Sequence, residues 1–189
     1  DLDDYRDLAE DVAEFGDNEY AKKLYHKAID EAGDAQEIIS VGESIISYLS
    51  DKELATKVYK QAQDMAGDFE DLHDLAKSVL SGNYLGDKEY GKQICDLALD
   101  KAEDSFEFRG VGNLVASDDG LGDKDWGRKL FKIAFEKADG PGDVSDLGDS
   151  VASDDGLGDK EWARTLYKLA LDDCDDDDLR DMIRSSVDD

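Results

Sequence analysis

Few residues of the kinds that do chemistry occur here, and their spacing limits what they could do. The two histidines, His26 and His73, stand apart, with no Cys, Ser or carboxylate at a recurring triad or metal spacing. His26 reads as a solvent-facing helix residue, and His73 as either that or part of a groove. Cys95 and Cys174 fall inside apolar patterns and read as core thiols, since a free thiol packs like a small hydrophobe. The strings Asp118-Asp119-Gly120 and Asp154-Asp155-Gly156 share two features with calcium loops. They lack the alternating Asp ligands and the bidentate Glu at the twelfth position, so weak cation binding is the most they suggest and no metal site is assigned. The Gly-x-Gly pairs in the same stretches follow no strand, which removes a phosphate loop. Neither a catalytic residue nor a cofactor is expected.

What these residues sit on is a repeat. An Asp recurs at Asp17, Asp51, Asp87, Asp123 and Asp159, at intervals of 34, 36, 36 and 36 residues, and a period of this length signals stacked helical pairs. Three residues after each Asp stands a bulky group: Tyr20, Leu54, Tyr90, Trp126 or Trp162. A small residue follows, at Ala21, Ala55, Gly91, Gly127 and Ala163. Then come Leu24, Val58, Ile94, Leu130 and Leu166, with Tyr25, Tyr59, Cys95, Phe131 and Tyr167 beside them. Alanine closes each pattern at Ala28, Ala62, Ala98, Ala134 and Ala170. These offsets share one helical face, where small residues admit a neighbouring helix and large ones fill the gaps. The opening Asp suits an N-cap. These segments are the B helices.

Ahead of each lies a second pattern, an apolar residue followed by a small one: Leu8-Ala9, Val41-Gly42, Leu75-Ala76, Val111-Gly112 and Leu147-Gly148. These are the A helices. The B-to-A joint is constant, nine residues from Ala32 to Val41, from Ala66 to Leu75, from Ala102 to Val111 and from Ala138 to Leu147. The interval from the small A residue to the small B residue grows from 12 to 13 to 15, and loops such as Ser81-Gly82-Asn83 are expected to absorb the extra residues. The nine-residue step also carries Cys174 to Ile183, with Val187 four later. A sixth A-type helix therefore ends the chain, with Arg184 where every earlier copy has Ala or Gly. The fold expected is all-α, five antiparallel helix pairs and a C-terminal capping helix in one repeat domain, 1–189. Its repeats run about 1–33, 34–67, 68–103, 104–139 and 140–174, with the cap about 175–187.

The pattern Gly-Asp-x-x-x-Ala-x-x-x-Tyr-x-x-Ala, carried by Gly16, Asp17, Ala21, Tyr25 and Ala28 and again by Gly158, Asp159, Ala163, Tyr167 and Ala170, resembles tetratricopeptide repeats. The Asp-Gly-Leu-Gly loops and 36-residue spacing are similar to the related Sel-like repeats. The late A-helix aromatic is replaced by Val or Ile, and the proline usual at the repeat end is missing. The resemblance implies a right-handed α-solenoid with A helices lining the concave side, and a non-catalytic role in binding other proteins.

Charge adds to this. The chain has 50 acids and 22 bases, a formal charge of −28. Residues 17–32, 51–66, 87–102, 123–138 and 159–174 hold 18 acids and 17 bases, whereas everything else holds 32 and 5. The A helices and loops thus carry nearly all the net field. Such a balance excludes direct nucleic-acid binding and favours a partner protein with a basic surface. Two readings of the acids stand side by side: a steering field, or helix caps (Asp34, Glu37, Asp68, Glu70, Asp71) together with a solubility trait of high salt. The sequence has no signal peptide or apolar span for a membrane, which points to a soluble protein, cytoplasmic by expectation, and a start at Asp1 reads as a piece of a longer protein. The expected function is a scaffold or adaptor binding a partner peptide or domain in an acidic groove. The alternative is an acidic inhibitor or immunity-type protein that imitates a polyanion. If the tetratricopeptide register holds, the groove floor comprises Arg6, Glu10, Ile39, Glu43, His73, Lys77, Arg109, Asn113, Ser145 and Asp149.

Overall fold

Each B helix begins where its Asp can satisfy a backbone N–H that has no partner in the first turn. The Asp17, Asp51, Asp87, Asp123 and Asp159 carboxylates accept from the N–H groups of Tyr20, Leu54, Tyr90, Trp126 and Trp162 at 2.9–3.1 Å. The helices so started are α2 (Asn18–Glu31), α4 (Lys52–Met65), α6 (Lys88–Leu99), α8 (Lys124–Glu136) and α10 (Lys160–Asp172). Just before the cap the chain turns through the left-handed region, at Gly16, Gly86, Gly122 and Gly158 with φ between 67° and 90°. The second copy has Ser50 there, at φ 51°, a conformation that costs a residue with a Cβ about 1–2 kcal/mol.

The A helices start by a different device. In α3 (Ala35–Ser44), α5 (Phe69–Leu80) and α7 (Ser105–Ala116) the caps are Asp34, Asp68 and Asp104, and the third helical residue is also an acid. The carboxylates of Glu37, Asp71 and Glu107 reach back to the N–H groups of Gly33, Gly67 and Glu103 at 2.5–2.9 Å. Two free donors are satisfied reciprocally. The acids at these helix starts therefore have a structural use, as the capping reading expected. α1 (Leu2–Glu14) is capped by Asp1 in the same way, and α9 (Pro141–Ala152) instead places the only proline at its first position, where no N–H is needed.

The computed structural model describes the backbone of residues 1–188 and the side chains of residues 1–185; Val187, expected to pack in the last helix, has its side chain outside the described residues. The described chain is all-α and 75% helical, with eleven α-helices, no strand, and adjacent helices packed in pairs. It divides into two units, Asp1–Leu97 and Ala98–Asp189. In the first, α1 packs on α2 and α3 on α4. In the second, α7 packs on α8, α9 on α10, and α11 (Asp177–Asp188) on α10.

Within pairs the small residues lie against rings. A Cβ on Gly42 would fall 2.5 Å from the Tyr59 ring, on Gly112 2.6 Å from Phe131, and on Gly148 2.5 Å from Tyr167. Ala28, Ala62, Ala98, Ala134 and Ala170 are all buried, as are both thiols, which are free. Two expectations need correction. The extra residue of the second copy is absorbed within the helix, where Ile45–Leu49 forms a π turn after α3, and not in a loop. Leu8, expected in the core, is 45% exposed, whereas Val41, Leu75 and Leu147 at the same position lie against a B helix and have no exposure.

Candidate functional site

The residues expected on the groove floor fall into three groups. Ile39 and Ser145 are buried and present no surface to a partner, so they leave the candidate site. A second group is tied into internal networks. The Arg6 guanidinium lies 2.9 Å from Asp3 and donates to Ser40; His73 stacks on Phe69 with ring centroids 5.5 Å apart; Arg109 pairs with Asp146 at 3.0 Å. Lys77, Asn113 and Asp149 are exposed.

Glu10 and Glu43, both half-buried, show how the second group is built. Tyr25 is fully buried, and its hydroxyl lies 2.8 Å from Ser44 Oγ, which donates to Glu10 Oε1 at 2.8 Å. One repeat later Ser78 Oγ donates to Glu43 Oε1, while the equivalent phenol, Tyr59 Oη, is buried without a hydrogen-bond partner. Burial, the largest cause, pushes the Tyr25 phenol up to about 12 and the Tyr59 phenol further in the same direction. The charges of Glu10 and Glu43 also raise the pKa values of the neighbouring Tyr48 and Tyr84 phenols. Such carboxylates are partly spent on holding neighbouring A helices together, since α1 packs on α3 and α3 on α5.

In the second unit the same position is open. Asn113 of α7 and Asp149 of α9 face a common cleft of about 430 Å³, lined also by Leu114, Ser117, Ser150, Ser153, Asp155 and Gly156. One oxygen of Asp149 accepts the Tyr167 hydroxyl at 2.7 Å. The floor holds two carboxylates, an amide, three hydroxyls and one leucine, with no base. It can accept hydrogen bonds from a cationic or amide group and seat a short apolar stem. The added residues could have been found from sequence by helical spacing, because Ser117 and Ser153 stand four after Asn113 and Asp149 and so share their face.

The loop beneath this cleft explains the repeated Asp-Gly-Leu-Gly. A Cβ on Gly120 or Gly156 would overlap the carbonyl oxygen of Leu114 or Ser150, so each loop closes against its own helix end. Among the described residues, no three His, Cys, Asp or Glu side chains are grouped so as to hold a metal ion, and no helix is long and apolar enough to cross a membrane. Compared with known proteins, the chain matches no family model, no curated protein and no solved structure.

Proposed function

We propose that the chain is a non-catalytic scaffold that binds another protein through the A-helix side of its helix pairs, with a basic side chain of the partner seated in the cleft of the second unit. The cleft carries this reading: Asn113 and Asp149, chosen by register alone, meet there with Asp155 and no competing base. An arginine or lysine entering would find charge-assisted acceptors and an apolar contact for its stem. The five-pair count rests on the five copies of the sequence pattern, and the right-handed winding and the role in protein binding on the tetratricopeptide resemblance. Charge segregation supports a basic partner, whose approach the field around the A helices would speed at low salt.

Ligands selected from a displayed peptide library against the full chain test this. The double variant Asn113→Arg, Asp155→Arg should weaken selected basic ligands about tenfold or more, as expected when a charge-assisted contact becomes a repulsion, while Lys57→Glu on the B side leaves them unchanged. Equal binding by parent and double variant rejects the cleft. If only folded, basic nucleic-acid enzymes bind, with affinity collapsing as salt rises, the polyanion-imitating inhibitor replaces the scaffold.

A further inference from the structure

The position five residues after the capping Asp of a B helix is basic in four copies, as Lys22, Lys92, Arg128 and Arg164, and is Thr56 in the second. Lys22 and Arg128 show what such a base does: it crosses to the capping Asp of the next B helix. Lys22 Nζ lies 2.8 Å from Asp51 Oδ2. Arg128 Nη1 lies 2.7 Å from Asp159 Oδ2, and its guanidinium sits 5.5 Å from the ring centroid of Trp162, three residues after that Asp. The Arg128 slot thus has two walls, a half-buried carboxylate and an aromatic face. Between α4 and α6 both walls recur, but the base is replaced. Asp87, also half-buried, accepts the Tyr90 N–H through Oδ1 at 3.0 Å, and Tyr90 stands where Trp162 does. The Tyr90 hydroxyl donates to Gln63 Oε1 at 3.0 Å, which holds the ring against α4. Thr56 brings no charge, and its hydroxyl donates to the Lys52 carbonyl of its own helix at 2.7 Å. The result is a cleft of about 460 Å³ bordered by Thr56, Asp87 and Tyr90.

We propose that this cleft binds a guanidinium carried on an alkyl stem, with the guanidinium on Asp87 Oδ2 and against the Tyr90 ring. Two observations choose that ligand. The equivalent slot of the second unit is filled by a guanidinium in this arrangement, from Arg128. A planar guanidinium pairs with a carboxylate while lying on an aromatic face, which a compact ammonium does less well. The cleft is also lined by Asp64, Glu89 and Lys60, so three carboxylates face one ammonium and a cation is favoured. Exposed Lys60 and the Gln63 amide, whose Oε1 is taken but whose Nε2 can donate, suit a carboxylate or carbonyl at the other end of the ligand. This site lies on the B helices of the first unit and shares no residue with the cleft of the second, so either could fail without the other.

The probe is N-acetyl-arginine amide, titrated into the isotope-labelled full chain carrying Asn113→Arg and Asp155→Arg, so that the cleft of the second unit supplies no signal. Amide shifts at millimolar probe should centre on Thr56, Asp87 and Tyr90. N-acetyl-citrulline amide, which has the shape without the charge, should bind about tenfold more weakly or worse. Asp87→Ser keeps a capping oxygen but removes the charge, and should weaken the arginine probe about fivefold. Thr56→Arg supplies the guanidinium from within the chain, as Arg128 does for Asp159; it should abolish binding while the thermal midpoint holds or rises, which excludes unfolding as the cause. Free arginine binding more tightly than the amide, with the gain lost in Lys60→Gln, assigns the site to a free guanidino acid. The reverse order assigns it to an arginine of a peptide. No shift at millimolar probe, shifts centred elsewhere, equal binding of the citrulline compound, or unchanged affinity in Asp87→Ser and Thr56→Arg overturns the proposal.

Discussion

The two units carry the same charge and use it differently. Residues 1–97 hold 24 acids and 10 bases, residues 98–189 hold 26 and 12, and each nets −14. In the first, the acid after the small A residue is engaged: Glu10 and Glu43 accept serine hydroxyls from the next A helix. In the second, the equivalent Asn113 and Asp149 border an open cleft. Side-chain length and type decide it: the long arms of Glu10 and Glu43 reach the next A helix, whereas the shorter Asp149 accepts the Tyr167 hydroxyl within its own pair and Asn113 carries no charge. Equal net charge thus says little about which carboxylates are available to a partner.

The sharpest way to break the comparison is in the cores. Phe131 and Cys95 occupy the same slot, both without exposure. Phe131→Ala should cost about 3–5 kcal/mol in urea unfolding, since it empties a ring-sized space against Gly112, while Cys95→Ala should cost far less. Comparable losses would mean that the slot is not equivalent in the two units. Ala134→Leu should cost about 1–3 kcal/mol by overpacking a residue with no exposure, and an unchanged thermal midpoint would contradict the packing register.

Smaller effects separate the turns. Ser50→Gly should stabilise the first unit by about 0.5–1 kcal/mol, and Gly158→Ala should destabilise the second by about 1 kcal/mol, because both φ values lie in the left-handed region. Opposite signs of these paired changes are the expected result in thermal unfolding. Tyr59→Phe removes a buried hydroxyl that has no partner and should leave stability unchanged or slightly raised at pH 7, unlike Tyr25→Phe, which breaks the bond to Ser44.

Alkaline pH tests the same phenols with a defined sign. Burial pushes Tyr25 and Tyr90 up to about 12 from 10.0, and Cys95 up to about 12 from 9.0. Below roughly pH 8 all three are protonated folded or unfolded and add no pH dependence. Between roughly pH 8 and 12 the unfolded chain ionises first, Cys95 before the phenols, so stability should fall as pH rises through that window. Urea midpoints at pH 8, 10 and 11 should decrease in that order, and the fall should be shallower in Tyr25→Phe measured against its own value at pH 8.

By itself the sequence determined the helices, their caps and their small-against-large packing. These follow from contacts within a repeat or between adjacent helices, and five copies of one pattern make them unambiguous: Asp17 and Asp159 cap alike, and Ala28 and Ala170 are buried alike. Where a side chain depends on what stands in the next repeat, the pattern was silent. Glu43 and Asp149 share a position, yet one is held by Ser78 and the other faces a cleft, and Ile39 is covered although its register predicted a groove floor. Tertiary structure also decided that the second copy's extra residue enters a π turn and that Leu8 lies open, because both depend on what packs around a helix and not on its own periodicity.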